Sequence, residues 1–479
     1  MNYKKIKDLI KEYIVEEKEK DLSFSYLSFN SNDIKCDTLF ICKGLSFKEE
    51  YLNDAIKKGV TCYISEVKYN IDIPYIIVAD IRKVMAIISS TFYYDNVFKI
   101  GVTGTKGKTT TVSFLHNILN NHCKKETGYI STIDLYTGKR REESHNTTPE
   151  SMDLHKYLNE MENSNIDYMC MEISSQAFKH HRIYNTIFDM GAFLNIGLDH
   201  ISPLEHKDFN EYFSCKVGFL KQCKKVFIYK NEEHYNDVIK ELKDKEIITF
   251  GYTSDCDYYV KTIVKDNGII FDVNHNNEKE TYKINMLGNF NITNALCAIA
   301  ISKEVGIKYL DIYNGLLETK VKGRMNIYYG ICPIIVDYAH NELSALNLLK
   351  SLEDDFKDKN IKLVFGCPGD RGINRRKEMG TLAGEYASYI YLTSEDPQTK
   401  NPYDICEEIS EYIKKYNKEY EIIIDREEAI KKAINDATKD DVIVILGKGD
   451  ETYQIINGEY VFYKSDLKVV EEEIEKIKE

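Results

Sequence analysis

The residues best suited to chemistry lie in positions 98–120, FKIGVTGTKGKTTTVSFLHNILN. An apolar run fit for a buried strand leads into a loop carrying Gly104 and Gly107, and an apolar-periodic helix follows. Glycines let such a loop close around an anion, and a helix start offers oriented N–H groups and positive dipole. Lys108 is placed to reach terminal phosphates, and Thr109 offers a hydroxyl to Mg²⁺. The strict phosphate-loop pattern would put glycine where Val102 stands, and Gly101 falls one place early. Strand, loop, GKT and helix in this order point to a nucleoside triphosphate site.

Other candidates follow strands. Glu172 finishes the apolar run DYMCMEIS and is read as a direct or water-mediated Mg²⁺ ligand rather than a solvated carboxylate. Asp199 and His200 follow FLNIGL, with Glu205 and His206 further on, and suggest a second metal or phosphate contact. Lys216 sits in NEYFSCKVGFL, where Tyr212, Lys216 and Leu220 share a helical face; residue types alone read it as a snorkelling surface lysine. Three further polar loops end strands: 366–376 (GCPGDRGINRR, with Arg371, Arg375 and Arg376), 393–402 (TSEDPQTKNP) and 447–451 (GKGDE). Together they suggest a cleft for a small charged ligand.

The elements that must position these residues fall into three α/β stretches. Residues 1–96 alternate short strands (38–42, 61–65, 75–78) with helices (50–58, 81–94), and positions 1–20 read as an amphipathic surface helix. In this stretch only Ser31 and the Lys43-Gly44 turn are possible ligand contacts, and a structural turn is favoured. Residues 97–320 hold the phosphate loop, strands at 168–173, 190–195, 225–229 and 247–250, an antiparallel ribbon at 261–285 and a helix at 291–305. Residues 321–479 repeat the alternation, with strands at 334–338, 362–365, 388–393, 421–424 and 442–446. The expected fold is α/β in three domains, with a central parallel-sheet phosphate-loop domain and a C-terminal Rossmann-like open sheet. A length of 479 residues suits several domains. The net charge of −13 argues against a nucleic-acid binder, and no apolar run is long enough to span a bilayer. Twelve scattered cysteines without a C-x-x-C pair read as reduced, buried thiols of a cytoplasmic protein.

Taken in order, TGTKGKTT, TTPES, MEISSQAF, GNFNITNALCA, GRM, VDYAH, GDRG and GKGDETYQ make the chain similar to the Mur ligases of bacterial cell-wall synthesis, over nearly its whole length. The resemblance implies an ATP-dependent ligase that extends UDP-MurNAc-L-Ala-D-Glu by one free amino acid through an acyl phosphate. By matching positions, Gly104, Thr105, Lys106, Gly107, Lys108, Thr109 and Thr110 would hold ATP, with Asn291 and Asn294 near adenine, Arg324 near the phosphates and Asp337 near the ribose. Ser31, Thr147, Thr148, Ser174 and Arg182 would hold the UDP substrate, although the family's D-S-R reads Asn30-Ser31-Asn32 here. Thr109, Glu172 and His200 would bind Mg²⁺, and Lys216 would be a carbamylated lysine, reversing its reading from residue types. Lys108, Glu172, His200 and Lys216 would form the catalytic set, and Arg371, Glu395, Asp396, Pro397, Gln398, Gly447 and Glu451 would receive the amino acid. Diaminopimelate-adding members carry D-N-P-R where this chain has Glu395-Asp396-Pro397-Gln398; losing that arginine and gaining acidity favours L-lysine, with meso-diaminopimelate or ornithine as alternatives. A monomer is expected, without nucleic-acid or membrane partners. Competing readings are a folylpolyglutamate synthetase-like ligase and a non-catalytic ATP-binding module.

Overall fold

The computed structural model describes residues 1–44, 47–144, 146–197, 201, 205–265, 268–370 and 372–478. Two compact units emerge: Met1–Lys261 with Val273–Glu280 and Leu296–Gly315, and Thr262–Asp272 with Thr281–Ala295 and Leu316–Glu479.

The first unit contains a five-stranded sheet in the order Ile14–Lys18, Tyr75–Val78, Cys62–Ser65, Thr38–Ile41, Tyr26–Ser28, antiparallel only at its first pair. The amphipathic helix expected over 1–20 is corrected here. Only Tyr3–Ile10 is helical; a 3₁₀ turn, Lys11–Tyr13, then hands the β-branched pair Ile14-Val15 to the sheet edge as strand Ile14–Lys18. A second sheet centres on Phe98–Thr103, flanked in parallel by Tyr168–Ile173 and Phe188–Phe193. It continues through Cys223–Tyr229 and Glu246–Gly251 on one side and Gly128–Ile130 on the other. Central strands such as YMCMEI are apolar apart from Glu172 because both faces are covered, as parallel sheets require. Helix Ser151–Asn163 belongs to the second sheet's stretch, yet its Met152 is buried in the hydrophobic cluster of the first sheet, among Ile6, Ile81 and Met85.

The second unit carries a six-stranded sheet, in the order Asn326–Tyr329, Pro333–Asp337, Asp441–Leu446, Asn360–Phe365, Tyr389–Leu392, Glu419–Ile422. All neighbours after the first pair run parallel, which places the three polar loops of the sequence reading at one sheet edge. A hairpin, Tyr453–Ile456 with Glu459–Phe462, follows the last of them. Among the described residues no helix is long and apolar enough to cross a membrane.

Candidate functional site

In the first unit the loop 104–107 runs from strand Phe98–Thr103 to helix Lys108–Cys123. Gly107 has φ +87°, a left-handed conformation that favours glycine, and no side chain caps the helix start. The departure at Val102 now has a physical reason. A Cβ on Gly101 would come within 2.5 Å of the Phe219 ring, so that glycine serves helix–sheet packing, while Val102 is simply core. The loop is strapped from outside: Thr105 N donates to Asn195 O at 2.9 Å and Lys106 N to Asn195 Oδ1 at 2.8 Å. Thr105 Oγ1 also meets Tyr212 OH at 2.8 Å. Lys108 Nζ donates back to Gly104 O (2.9 Å) and Thr105 O (3.2 Å).

Lys216 is no surface lysine. It is 2 % exposed, and its Nζ donates to Gly104 O at 2.8 Å from 112 residues away. Helical period found its face, but a long-range contact decides its environment. Glu172 is the penultimate residue of strand Tyr168–Ile173, the bounds expected from sequence, and is fully buried. Its carboxylate accepts from Thr132 N (2.7 Å) and Thr132 Oγ1 (3.1 Å), and among the described residues no cation pairs with it. Nothing in the local sequence marked Thr132, whose hydroxyl also reaches Thr147 Oγ1 at 3.1 Å.

The TTPES residues gather beside Glu172. Thr148 Oγ1 donates to Glu172 O (2.9 Å) and accepts from Ser174 N (3.0 Å), and Ser174 caps helix Ser175–Lys179. Arg182 Nη1 donates to Thr148 O at 3.1 Å, while its Nε lies 3.1 Å from Glu150. Lys43 (2.9 Å) and Arg82 (3.7 Å) also face Glu150. Burial pushes the Glu150 carboxyl up, but these three cations more than offset it and hold it below the usual range. Lys43 therefore does more than make a turn. Ser31 stands apart, in the turn after Tyr26–Ser28, with its carbonyl accepting from Lys58 Nζ at 2.8 Å. Asp199 and His200 lie outside the described residues; His206, from the same loop, is buried against Ser175 Oγ at 2.9 Å.

In the second unit, Asn291 and Asn294 are buried on helix Asn289–Val305, Asn291 Nδ2 donating to Leu287 O at 2.7 Å. Asp337 accepts from Met325 N and Ala339 N, both at 2.7 Å, and the Arg324 guanidinium lies 4.6 Å from the Tyr338 ring centre. The loops 366–370 and 393–398 meet where Gly369 N donates to Asp396 O at 2.9 Å. A Cβ on Gly369 would fall 1.9 Å from Pro397 O, so only glycine fits that approach. Arg371 lies outside the described residues, and Arg376 is turned inward, pairing with Glu408 and donating to Gly369 O, so it braces the loop instead of facing a ligand.

The acidic pair is more elaborate than its sequence. Lys448, buried, bridges Asp396 (2.9 Å) and Glu451 (2.5 Å), and Tyr338 OH donates to Glu451 at 2.8 Å. One ammonium between two carboxylates leaves net negative charge. Glu395 is buried beside them and its carboxyl is pushed up to about 7, first by desolvation; Asp396 adds to the rise, and Arg426, Lys448 and Arg375 oppose it. A carboxyl whose folded pKa exceeds the unfolded value near 4.3 contributes stability that is full below that value and is lost as pH rises through about 7. Glu395→Gln is thus expected to flatten the fall in melting temperature between about pH 4.5 and 7, the window between the unfolded and folded values. A variant still falling as steeply as the parent would remove Glu395 as the cause.

Profiles of the Mur ligase middle domain and the Mur ligase glutamate ligase domain match residues 102–302 and 323–449. The chain is 39% identical over 459 residues to the UDP-N-acetylmuramoyl-L-alanyl-D-glutamate--L-lysine ligase of Streptococcus agalactiae, covering 94% of this chain and 92% of that one. The enzyme of the same name from Streptococcus thermophilus is 37% identical over 456 residues, with the same coverage. In fold, the chain is similar to a solved UDP-N-acetylmuramoyl-L-alanyl-D-glutamate--2,6-diaminopimelate ligase, with TM-score 0.70 and 22% identity over 100% of this chain and 99% of that one. With two family profiles in sequence order and relatives matched nearly end to end, the chain belongs to the Mur ligases and is an ATP-dependent, amide-bond-forming ligase.

Proposed function

We propose that this ligase adds L-lysine to the D-glutamate γ-carboxylate of UDP-MurNAc-L-Ala-D-Glu in peptidoglycan synthesis. The observation that carries the choice of amino acid is the net-negative group of Asp396, Glu451 and the intervening Lys448, with Gln398 where an arginine would favour a second carboxylate. The names of the Streptococcus relatives agree with it.

A carboxylate is a poor electrophile, so phosphoryl transfer from ATP first makes the γ-carboxylate an acyl phosphate. The uncapped helix start and Lys108 fit a triphosphate, and Lys108 offsets charge on the moving phosphoryl group. In our reading Gly104 to Thr110 cradle the phosphates with Arg324 near them, Asn291 and Asn294 lie near adenine, and Asp337 lies near the ribose. A buried carboxylate without a cationic partner among the described residues suits a hard cation, so Glu172, with Thr109 and His200, would hold Mg²⁺. Bound there, Mg²⁺ would neutralise phosphate charge and act as a Lewis acid. Lys216 would act as its carbamate, the amine taking up CO₂ and releasing a proton. Ser31, Thr147, Thr148, Ser174 and Arg182 would orient the UDP substrate. Arg371 would pair with the incoming α-carboxylate, and Asp396, Glu451 and Gln398 would select the side chain. The amine, in its deprotonated form, then attacks the acyl carbon, and the tetrahedral adduct expels phosphate and releases the amine's remaining extra proton to give the amide. A division at 1–96, 97–320 and 321–479, a monomer and a cytoplasmic location complete the proposal.

Phosphate release with ATP, Mg²⁺, bicarbonate and UDP-MurNAc-L-Ala-D-Glu is expected with L-lysine, and at least tenfold more slowly with meso-diaminopimelate or L-ornithine. Preference for diaminopimelate would keep the ligase and overturn the assignment of the acidic group.

A further inference from the structure

Loops 393–398 and 446–451 leave strands that are not neighbours, because Asn360–Phe365 lies between Tyr389–Leu392 and Asp441–Leu446. No sheet ladder therefore sets their mutual position. Arg426, the first residue of helix Arg426–Asn435, spans the gap. Its Nη2 donates to Leu446 O at 2.7 Å and its Nη1 to Ser394 O at 3.4 Å. The guanidinium is itself held by Asp466, through Nε to Oδ1 (2.7 Å) and Nη2 to Oδ2 (2.8 Å). Asp466 in turn accepts from Gly449 N (3.0 Å) and Tyr463 OH (2.6 Å). Arg426 and Asp466 are both buried.

A buried ion pair is poor evidence for stability, since desolvation consumes much of the attraction. Here its hydrogen bonds go to backbone groups of the two loops that carry Asp396, Lys448 and Glu451, which is what an orienting role requires. Ser394, Pro397, Gln398, Arg426 and Tyr463 also border an open cavity of about 520 Å³. On that side the loop borders open space, and polar ties, Gln398 N to Ile455 O at 2.8 Å among them, contribute to its position.

We propose that Arg426, Asp466 and Tyr463 form a positioning cluster that sets the two loops in register for the incoming amino acid; this rests on the assignment of those loops to the amino acid. The role given to the three is positioning, not contact with the substrate. They act through backbone carbonyls and the Gly449 amide.

The test compares Tyr463→Phe, Asp466→Asn and Arg426→Lys with the parent, in steady-state kinetics and in hydrogen–deuterium exchange. Tyr463→Phe removes one hydroxyl and serves as the folded variant should the charged ones fail to fold. Its KM for lysine is expected to rise about threefold to tenfold, and that of Asp466→Asn thirtyfold or more, while KM for ATP and for the UDP substrate stays within twofold. Arg426→Lys should not rescue, because one ammonium cannot hold Asp466 and both carbonyls together. Exchange should quicken in peptides covering 393–398 and 446–451 and stay unchanged in 104–110. Equal changes in all three KM values, or a lower melting temperature with lysine KM unmoved, would reduce the cluster to a structural role. If the parent turns over with no amino acid, the function assigned above fails; the exchange data still decide whether the cluster holds the loops.

Discussion

Lys108→Ala is expected to remain folded while phosphate release falls about a thousandfold, the scale on which removal of one preorganised charge donor acts. In the structure Lys108 Nζ donates to two carbonyls of its own loop, Gly104 O and Thr105 O, and the side chain is half-buried and outside the hydrophobic core. In the proposed function its ammonium serves the phosphate site, and its loss would leave charge on the transferred group without a counterweight. Melting temperature within about 3 °C of the parent, together with the lost turnover, is the expected pair of readings. Retention of a tenth or more of the activity would show that the charge is supplied from elsewhere.

Glu172→Gln carries the second large effect. The substitution keeps the shape of a fully buried side chain and removes its charge. The parent carboxylate accepts two hydrogen bonds from Thr132 and has no cationic partner among the described residues, so folding has little to lose from neutralisation. Turnover is expected to fall by a factor of about 10² to 10³ at saturating substrates, and half-activation to need several-fold more Mg²⁺. Full activity with an unchanged Mg²⁺ dependence would take Glu172 out of the metal's surroundings and leave it as a prop for Thr132.

The strand, loop and helix around 104–107 were readable because their determinants are consecutive: an apolar strand, two glycines, GKT and a helix. The polar strand ends of the second unit were readable for the same reason. What local sequence could not report is which distant group each side chain meets. Lys216 has the period of a surface residue and the contacts of a buried one, because Gly104 supplies its partner. Gly101 looked like a displaced motif glycine until Phe219 accounted for it. Thr132, Lys448 and Arg426 were not singled out, since a threonine in a short loop, a lysine between glycines and an arginine at a helix start are ordinary locally; each has a partner 15 to 52 residues away. The first twenty residues misled for a related reason, since an edge strand is chosen by the neighbour it pairs with, here Tyr75–Val78.

Met152 has one more implication. A chimaera made by joining the first 96 residues of a relative to the remainder of this chain would cut through a shared interior, because Met152 is inherited from one parent and the pocket around it from the other. The seam for exchanging the N-terminal sheet runs in three dimensions, between the methionine and its sheath of Ile6, Ile81 and Met85. A graft that preserves those residues as a set, together with the Lys43–Glu150 pair, keeps the two halves compatible.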